Sequence, residues 1–145
     1  MTRESSELKK FSHSVGQNWY HVVLIPRCRY PVFAQEHQRD LAIKAIDWVC
    51  FNHNIDLFAK EVMEDHLHLF VSCPPDYSIR KLVQIIKGGS SFYIRKEHPS
   101  LKKYKALWGK GFMYRSVGNV NADTVKNYIK YSNRWICSRN QKKLI

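Results

Sequence analysis

Apolar residues recur along this chain with two different periods, and the changes of period mark out its elements. Trp19 to Pro26 (WYHVVLIP) is β-branched and aromatic and reads as a strand, closed by Pro26 and Pro31. From about Gln35 to Asn54 the spacing becomes helical, with Leu41, Ala42, Ala45, Ile46, Val49 and Cys50 on one face and Arg39, Lys44 and Asp47 elsewhere. Ile55 to Met63 returns to alternation and predicts a second strand. The short Glu64-Asp65 link to a third apolar run, ended by Cys73-Pro74-Pro75, predicts an antiparallel hairpin, because a parallel partner needs a crossover of about a dozen residues.

Ser78 is placed to cap a second helix, whose buried stripe is Ile79, Leu82, Val83, Ile86 and Tyr93. Gly88-Gly89-Ser90-Ser91 falls inside it and is expected either to bend the helix or to let a neighbouring backbone or a phosphate come close. Gly111 to Val117 predicts a fourth strand, and Asn121 caps a last helix running to Trp135. The order β-α-β-β-α-β with a trailing helix predicts an α+β fold, a ferredoxin-like antiparallel sheet with a C-terminal helix that carries a tyrosine. Residues 1–18 lack a clear period and are expected to form a flexible leading segment. The domain then occupies 19–137, and 138–145 form a basic tail.

Charge changes this picture more than composition does. Lys and Arg outnumber Asp and Glu by 24 to 12, a formal net charge of +12 on 145 residues. So large an excess is matched to a polyanion, and nucleic acid suits it better than a membrane surface. No apolar run approaches membrane length and the first twenty residues are polar, so a soluble, cytoplasmic and nucleoid-associated protein with no membrane partner is expected. Cys28, Cys50, Cys73 and Cys137 are far apart and are expected to be small hydrophobes without a function.

Candidate chemistry centres on Glu64-Asp65-His66-Leu67-His68-Leu69-Phe70-Val71. Alternation on a strand puts His66 and His68 on one face as a two-nitrogen metal platform while Leu67 and Leu69 enter the core. With seven histidines in the chain, such a pair also arises by chance, and alone it decides nothing. Lys102, Lys103, Lys105 and Lys110 crowd a loop that also holds Tyr104 and Trp108, a mixture that suits single-stranded nucleic acid: cations on the backbone, rings on the bases. Arg80, Lys81, Lys87, Arg95 and Arg115 complete the candidate DNA contacts.

Four fragments in this order resemble the single-tyrosine HUH transposases of the insertion sequence 200/605 family. They are Asp65 to Val71, Lys81 to Ser91, Leu107 to Phe112, and Ser116 to Val120 running into Thr124 to Ile129, within a likeness that spans Trp19 to Trp135. The resemblance implies a DNA transposase that cleaves and rejoins single-stranded DNA at insertion-sequence ends and recognises DNA hairpins there. It implies Tyr128 as the nucleophile of a 5′-phosphotyrosine intermediate and His66 and His68 as ligands of Mg2+ or Mn2+. It further implies a homodimer in which the last helix of one subunit completes the active site of the other. One position departs from the pattern: where the family carries a glutamine ligand one turn after the tyrosine, this chain has Ser132, followed by Asn133. Either could supply the third ligand, or water could, and loss of activity is the remaining alternative. Tyr131 is the competing nucleophile. The rival expectations are a replication-initiator or repeat-associated nickase with the same residues, and a non-catalytic nucleic-acid-binding module of the same strand order.

Overall fold

The computed structural model describes residues 8–103, 106–118, 121 and 123–130. After a short antiparallel pair, β1 (Lys9–Lys10) and β2 (Val15–Gly16), come β3 (Trp19–Leu24), α1 (Glu36–Asn52), β4 (Leu57–Val62), β5 (Leu67–Ser72), α2 (Ile79–Glu97) and β6 (Met113–Val117). Residues 123–130 form a last helix, α3. The main sheet has the order β4-β5-β3-β6 with every neighbouring pair antiparallel. This is the expected split βαβ arrangement: β3 and β4 flank β5, and each crossover is a helix.

One face of the sheet carries Val22, Leu24, Leu67, Leu69 and Val71, which pack with Ala42, Ala45, Ile46 and Val49 of α1 and Leu82, Val83 and Ile86 of α2. The opposite face carries His21, Val23, His68, Phe70 and Val117, with Val125, Tyr128 and Ile129 of α3 packed near its edge. All six residues of β5 are therefore buried, which is why its sequence reads as almost unbroken apolar. The helices begin where their caps are. Ser78 Oγ accepts the Lys81 amide at 3.0 Å, and Asn121 Oδ1 accepts the Thr124 amide at 2.9 Å.

Several boundaries differ from the sequence expectation, each for a local reason. The fourth strand begins at Met113 rather than Gly111, because the carbonyls of Gly109 and Gly111 accept the Lys87 ammonium at 2.7 and 2.9 Å instead of joining a ladder. The second strand begins at Leu57 rather than Ile55, whose amide closes the end of α1 on Cys50 O while its side chain is buried. The leading segment contains the β1–β2 pair, tied down by a Lys9–Asp56 ion pair at 2.9 Å. Two-residue strands leave no period to read.

Helix α2 runs unbroken through Gly88-Gly89-Ser90-Ser91. At Gly89 the missing side chain serves close approach, and the approaching group is a side chain of α1, while nothing lies within 4 Å of a Cβ built on Gly88. A Cβ built on Gly89 would lie 1.8 Å from Val49 Cγ2. Valine is stiff in a helix, so it has little room to retreat. Gly89→Ala is therefore expected to destabilise the fold by about 1–3 kcal/mol despite its better helix propensity. Urea-unfolding midpoints check this, and Val49→Ala in the same chain should recover part of the loss.

Among the described residues, no helix is long and apolar enough to cross a membrane.

Candidate active site

The register of the sheet assembles the site. His21 of β3 stands opposite Phe70 on one side and Arg115 on the other, and Val23 stands opposite His68. Directly opposed residues share a face, so His21, His68, Phe70 and Arg115 all lie on the face away from α1 and α2. His66, just before β5, joins them: its ring centroid is 4.9 Å from that of His68, the planes nearly perpendicular at 84°. The sequence expectation of two neighbouring imidazoles on one face, with Leu67 and Leu69 in the core, holds. The histidines are more enclosed than a surface platform, with His68 fully buried and His66 7% exposed.

Each imidazole is held at Nδ1. His66 Nδ1 lies 2.8 Å from Asp65 Oδ1, and the other oxygen of that carboxylate forms an ion pair with Arg29. Arg29 arrives through a turn in which Cys28 (φ 56°) and Arg29 (φ 52°) are both left-handed, a conformation that costs non-glycine residues roughly 1–2 kcal/mol each. A carboxylate at Nδ1 takes that nitrogen's proton as a hydrogen bond, so the lone pair sits on Nε2. His68 Nδ1 lies 3.1 Å from His21 Nε2. Two imidazoles fixed by outer partners are a donor set suited to a divalent ion, and His66 and His68 fit the expected metal in that respect. Among the described residues no group of three or more His, Cys, Asp or Glu side chains could hold a metal. Ser132 and Asn133, the candidate third ligands, and Tyr131 lie outside the described residues.

Tyr128 stands on the same sheet face. Val125, Tyr128 and Ile129 follow helical spacing and pack on Phe70 and Val117, while Lys126, Asn127 and Lys130 are exposed. The Tyr128 ring is 5.7 Å from the His21 ring and 6.4 Å from the Phe70 ring, and the Arg115 guanidinium carbon lies 5.1 Å from its centroid. The helix that carries the candidate nucleophile thus lies on its own chain's sheet, one ring removed from His68.

The candidate DNA-contacting cations divide. Arg80 and Lys81 in the first turn of α2, Lys102 and Lys103 in the short 3-10 helix Pro99–Lys103, Lys110 before β6, and Arg115 on β6 are exposed. Lys87 is half-buried, bound to two carbonyls, and burial lowers its ammonium below the ordinary lysine value. Its geometry is that of a clamp between α2 and the 109–111 loop. Arg95 is partly buried, with its guanidinium 3.4 Å from Lys102 O. Lys105 and Tyr104 lie outside the described residues.

Trp108 corrects the reading of that loop as a base-stacking surface. It is 6% exposed and packs beside Phe33, and its indole N–H donates to Ser90 Oγ at 3.0 Å. A ring so enclosed cannot stack on a base. Cys50 and Cys73 are buried as expected, and burial pushes the Cys50 thiol up to about 12, whereas Cys28 is exposed on a left-handed turn and Cys137 lies outside the described residues.

The residue that the sequence did not single out is His21. It is fully buried between His68 and Phe70, and burial first, then His68 and Arg115, push its imidazole from 6.5 down to about 3. A folded-state value below the unfolded one means that the unfolded chain binds the extra proton between those limits, so stability is full above about 6.5 and falls as pH drops toward 3. Thermal unfolding of metal-free protein should show a loss of a few kcal/mol across that window, and His21→Phe should flatten it.

Comparison with known proteins adds a family match, two relatives and two solved structures. The family model for IS200-like transposases matches residues 14–132. The transposase for insertion sequence element IS200 from Salmonella typhimurium is 28% identical over 126 residues, covering 85% of this chain and 82% of the relative. The ISDra2 transposase TnpA from Deinococcus radiodurans is 31% identical over 103 residues, 71% of each chain. Among solved structures, a proposed transposase from Deinococcus radiodurans superposes with a TM-score of 0.70 at 23% identity, covering 87% of this chain and 96% of that one. A REP-associated tyrosine transposase bound to a REP hairpin superposes with a TM-score of 0.55 at 15% identity, covering 85% and 69%. At those identities the two structures establish a shared fold.

Proposed function

The chain belongs to the IS200-like transposase family, and from that premise we propose that it cleaves and rejoins single-stranded DNA at insertion-sequence ends through a phosphotyrosine formed on Tyr128. The observation that carries this reading is the gathering of Tyr128, His68 and Arg115 around one ring, His21, on one sheet face. A fold-level likeness alone would not require those residues to meet.

The chemistry follows from what each group can do. The Tyr128 phenolic oxygen bonds to the scissile phosphorus, the bond from phosphorus to the 3′ oxygen breaks, the phenol gives up its proton and the departing 3′ oxygen gains one. The protein then holds a 5′-phosphate as an ester, and a second 3′-hydroxyl can attack it to restore a phosphodiester without a nucleotide triphosphate. Mg2+ or Mn2+ held by His66 and His68 through Nε2 would supply Lewis-acid stabilisation of charge on the phosphate oxygens. Arg115, with its planar guanidinium over the tyrosine ring, is suited to grip the same phosphate by paired hydrogen bonds.

The partners follow from charge and from the family. A net charge of +12 makes DNA binding steeply salt-dependent. Hairpins at the element ends are the proposed target, read by the exposed cations Arg80, Lys81, Lys102, Lys103 and Lys110. The assembly is proposed to be a homodimer, since the contacts of Val125, Tyr128 and Ile129 with Phe70 and Val117 are ones that a partner's helix can equally make.

Incubation with hairpin-bearing single-stranded DNA and Mn2+ should yield a protein–DNA adduct that survives denaturation and is missing when EDTA replaces the metal. Tight hairpin binding with no adduct under any divalent metal would reduce the protein to a binding module.

A further inference from the structure

We propose that His21 is a positioning residue for the metal site: from β3 it holds the Nδ1 edge of His68 and so presents His68 Nε2 as the ligating nitrogen. The inference rests on the reading of His66 and His68 as metal ligands.

Three features of the geometry support it. First, His21 is locked. Its ring lies edge to edge with His68, centroids 5.3 Å and planes 15° apart, and stacks on Phe70 at 4.6 Å with planes 12° apart. It is fully buried, with Nε2 3.1 Å from His68 Nδ1, and tilting the ring out of that plane would break both this contact and the Phe70 stack. Second, the arrangement has a counterpart across the site. Asp65 holds His66 at Nδ1 from 2.8 Å, so both candidate ligands are gripped at the same nitrogen, each by a different outer group. An outer hydrogen bond to one imidazole nitrogen is what fixes the tautomer and aim of the other.

Third, a polar ring is a costly way to fill this position. His21 Nδ1 is buried without a hydrogen-bond partner among the described residues, a desolvation cost that phenylalanine would avoid in nearly the same space. The bond to His68 is what histidine gains there. In the working tautomer His68 donates its Nδ1 proton to His21 Nε2, and the His68 lone pair lies on Nε2. The opposite tautomer, with His21 donating, would put a proton on His68 Nε2 and block ligation.

The test compares Mn2+ binding, followed by electron paramagnetic resonance of DNA-free protein, in wild type, His21→Phe, His21→Gln and His68→Gln. His21→Phe keeps a ring in the stack and loses the acceptor, and is expected to weaken Mn2+ binding by about 10–100-fold. His21→Gln keeps an acceptor and should recover much of that loss. Mn2+ binding that needs His68 but is unchanged in His21→Phe overturns the positioning role and leaves the metal reading intact. Mn2+ binding that is absent in wild type, or unchanged in His68→Gln, overturns both. Should His21→Phe fail to fold, long-range proton–nitrogen spectra of 15N-histidine wild-type protein decide: His68 protonated at Nδ1 before metal is added supports the proposal, and His68 protonated at Nε2 overturns it.

Discussion

Tyr128→Phe should abolish the covalent protein–DNA adduct while hairpin binding persists. The substitution keeps the ring that packs on His21 and Phe70 beneath the Arg115 guanidinium, and removes only the hydroxyl. Tyr128 is half-buried at the sheet surface, so the fold should unfold within about 0.5 kcal/mol of wild type. Without its nucleophile a covalent enzyme falls by orders of magnitude, and strand cleavage should drop by roughly 10³-fold or more. Denaturing gels with labelled DNA read this directly, with binding followed separately by fluorescence anisotropy. An adduct that survives in Tyr128→Phe and vanishes in Tyr131→Phe would move the nucleophile three residues along the chain.

Loss of either proposed metal ligand, His66 or His68, should rank second. His66→Ala and His68→Gln each remove one imidazole from the donor pair, and among the described residues no group of three or more His, Cys, Asp or Glu side chains could hold a metal. A bound dication contributes several kcal/mol of transition-state stabilisation, and cleavage should fall on the order of 10²–10³-fold in either variant. His68→Gln is preferred to alanine because His68 is fully buried between rings, where a cavity would unfold the sheet and confuse the result. Single-turnover cleavage against Mn2+ concentration separates the two parts of the effect: a ligand variant should need more metal, and wild-type rates at wild-type metal would contradict the assignment.

Local chemistry was the legible part of this protein. The changes of apolar period mark the strands and helices to within a few residues, and Ser78 and Asn121 cap where short polar residues before helical runs are expected to. His66 and His68 share a face because alternation on a strand requires it. What the sequence could not show depends on register or on distant partners. His21 meets His68 only because β3 and β5 pair with Val23 opposite His68, a match between residues 47 apart in the chain. Lys87 reads as an exposed helix cation until the carbonyls of Gly109 and Gly111 are seen to accept it. Trp108, flanked by lysines in sequence, is drawn into the core by Phe33 and Ser90. A polar residue inside an apolar strand was the one available signal for His21, and it needed a partner to give it meaning.

The most direct test of the central claim is to find the bond itself. Wild-type protein is reacted with hairpin-bearing single-stranded DNA and Mn2+, the adduct is trimmed with nuclease and protease, and the modified peptide is sequenced by mass spectrometry. A nucleotide esterified through its 5′-phosphate to Tyr128 is the predicted result. A nucleotide on any other side chain, or cleaved DNA with no protein-linked product, would contradict the account.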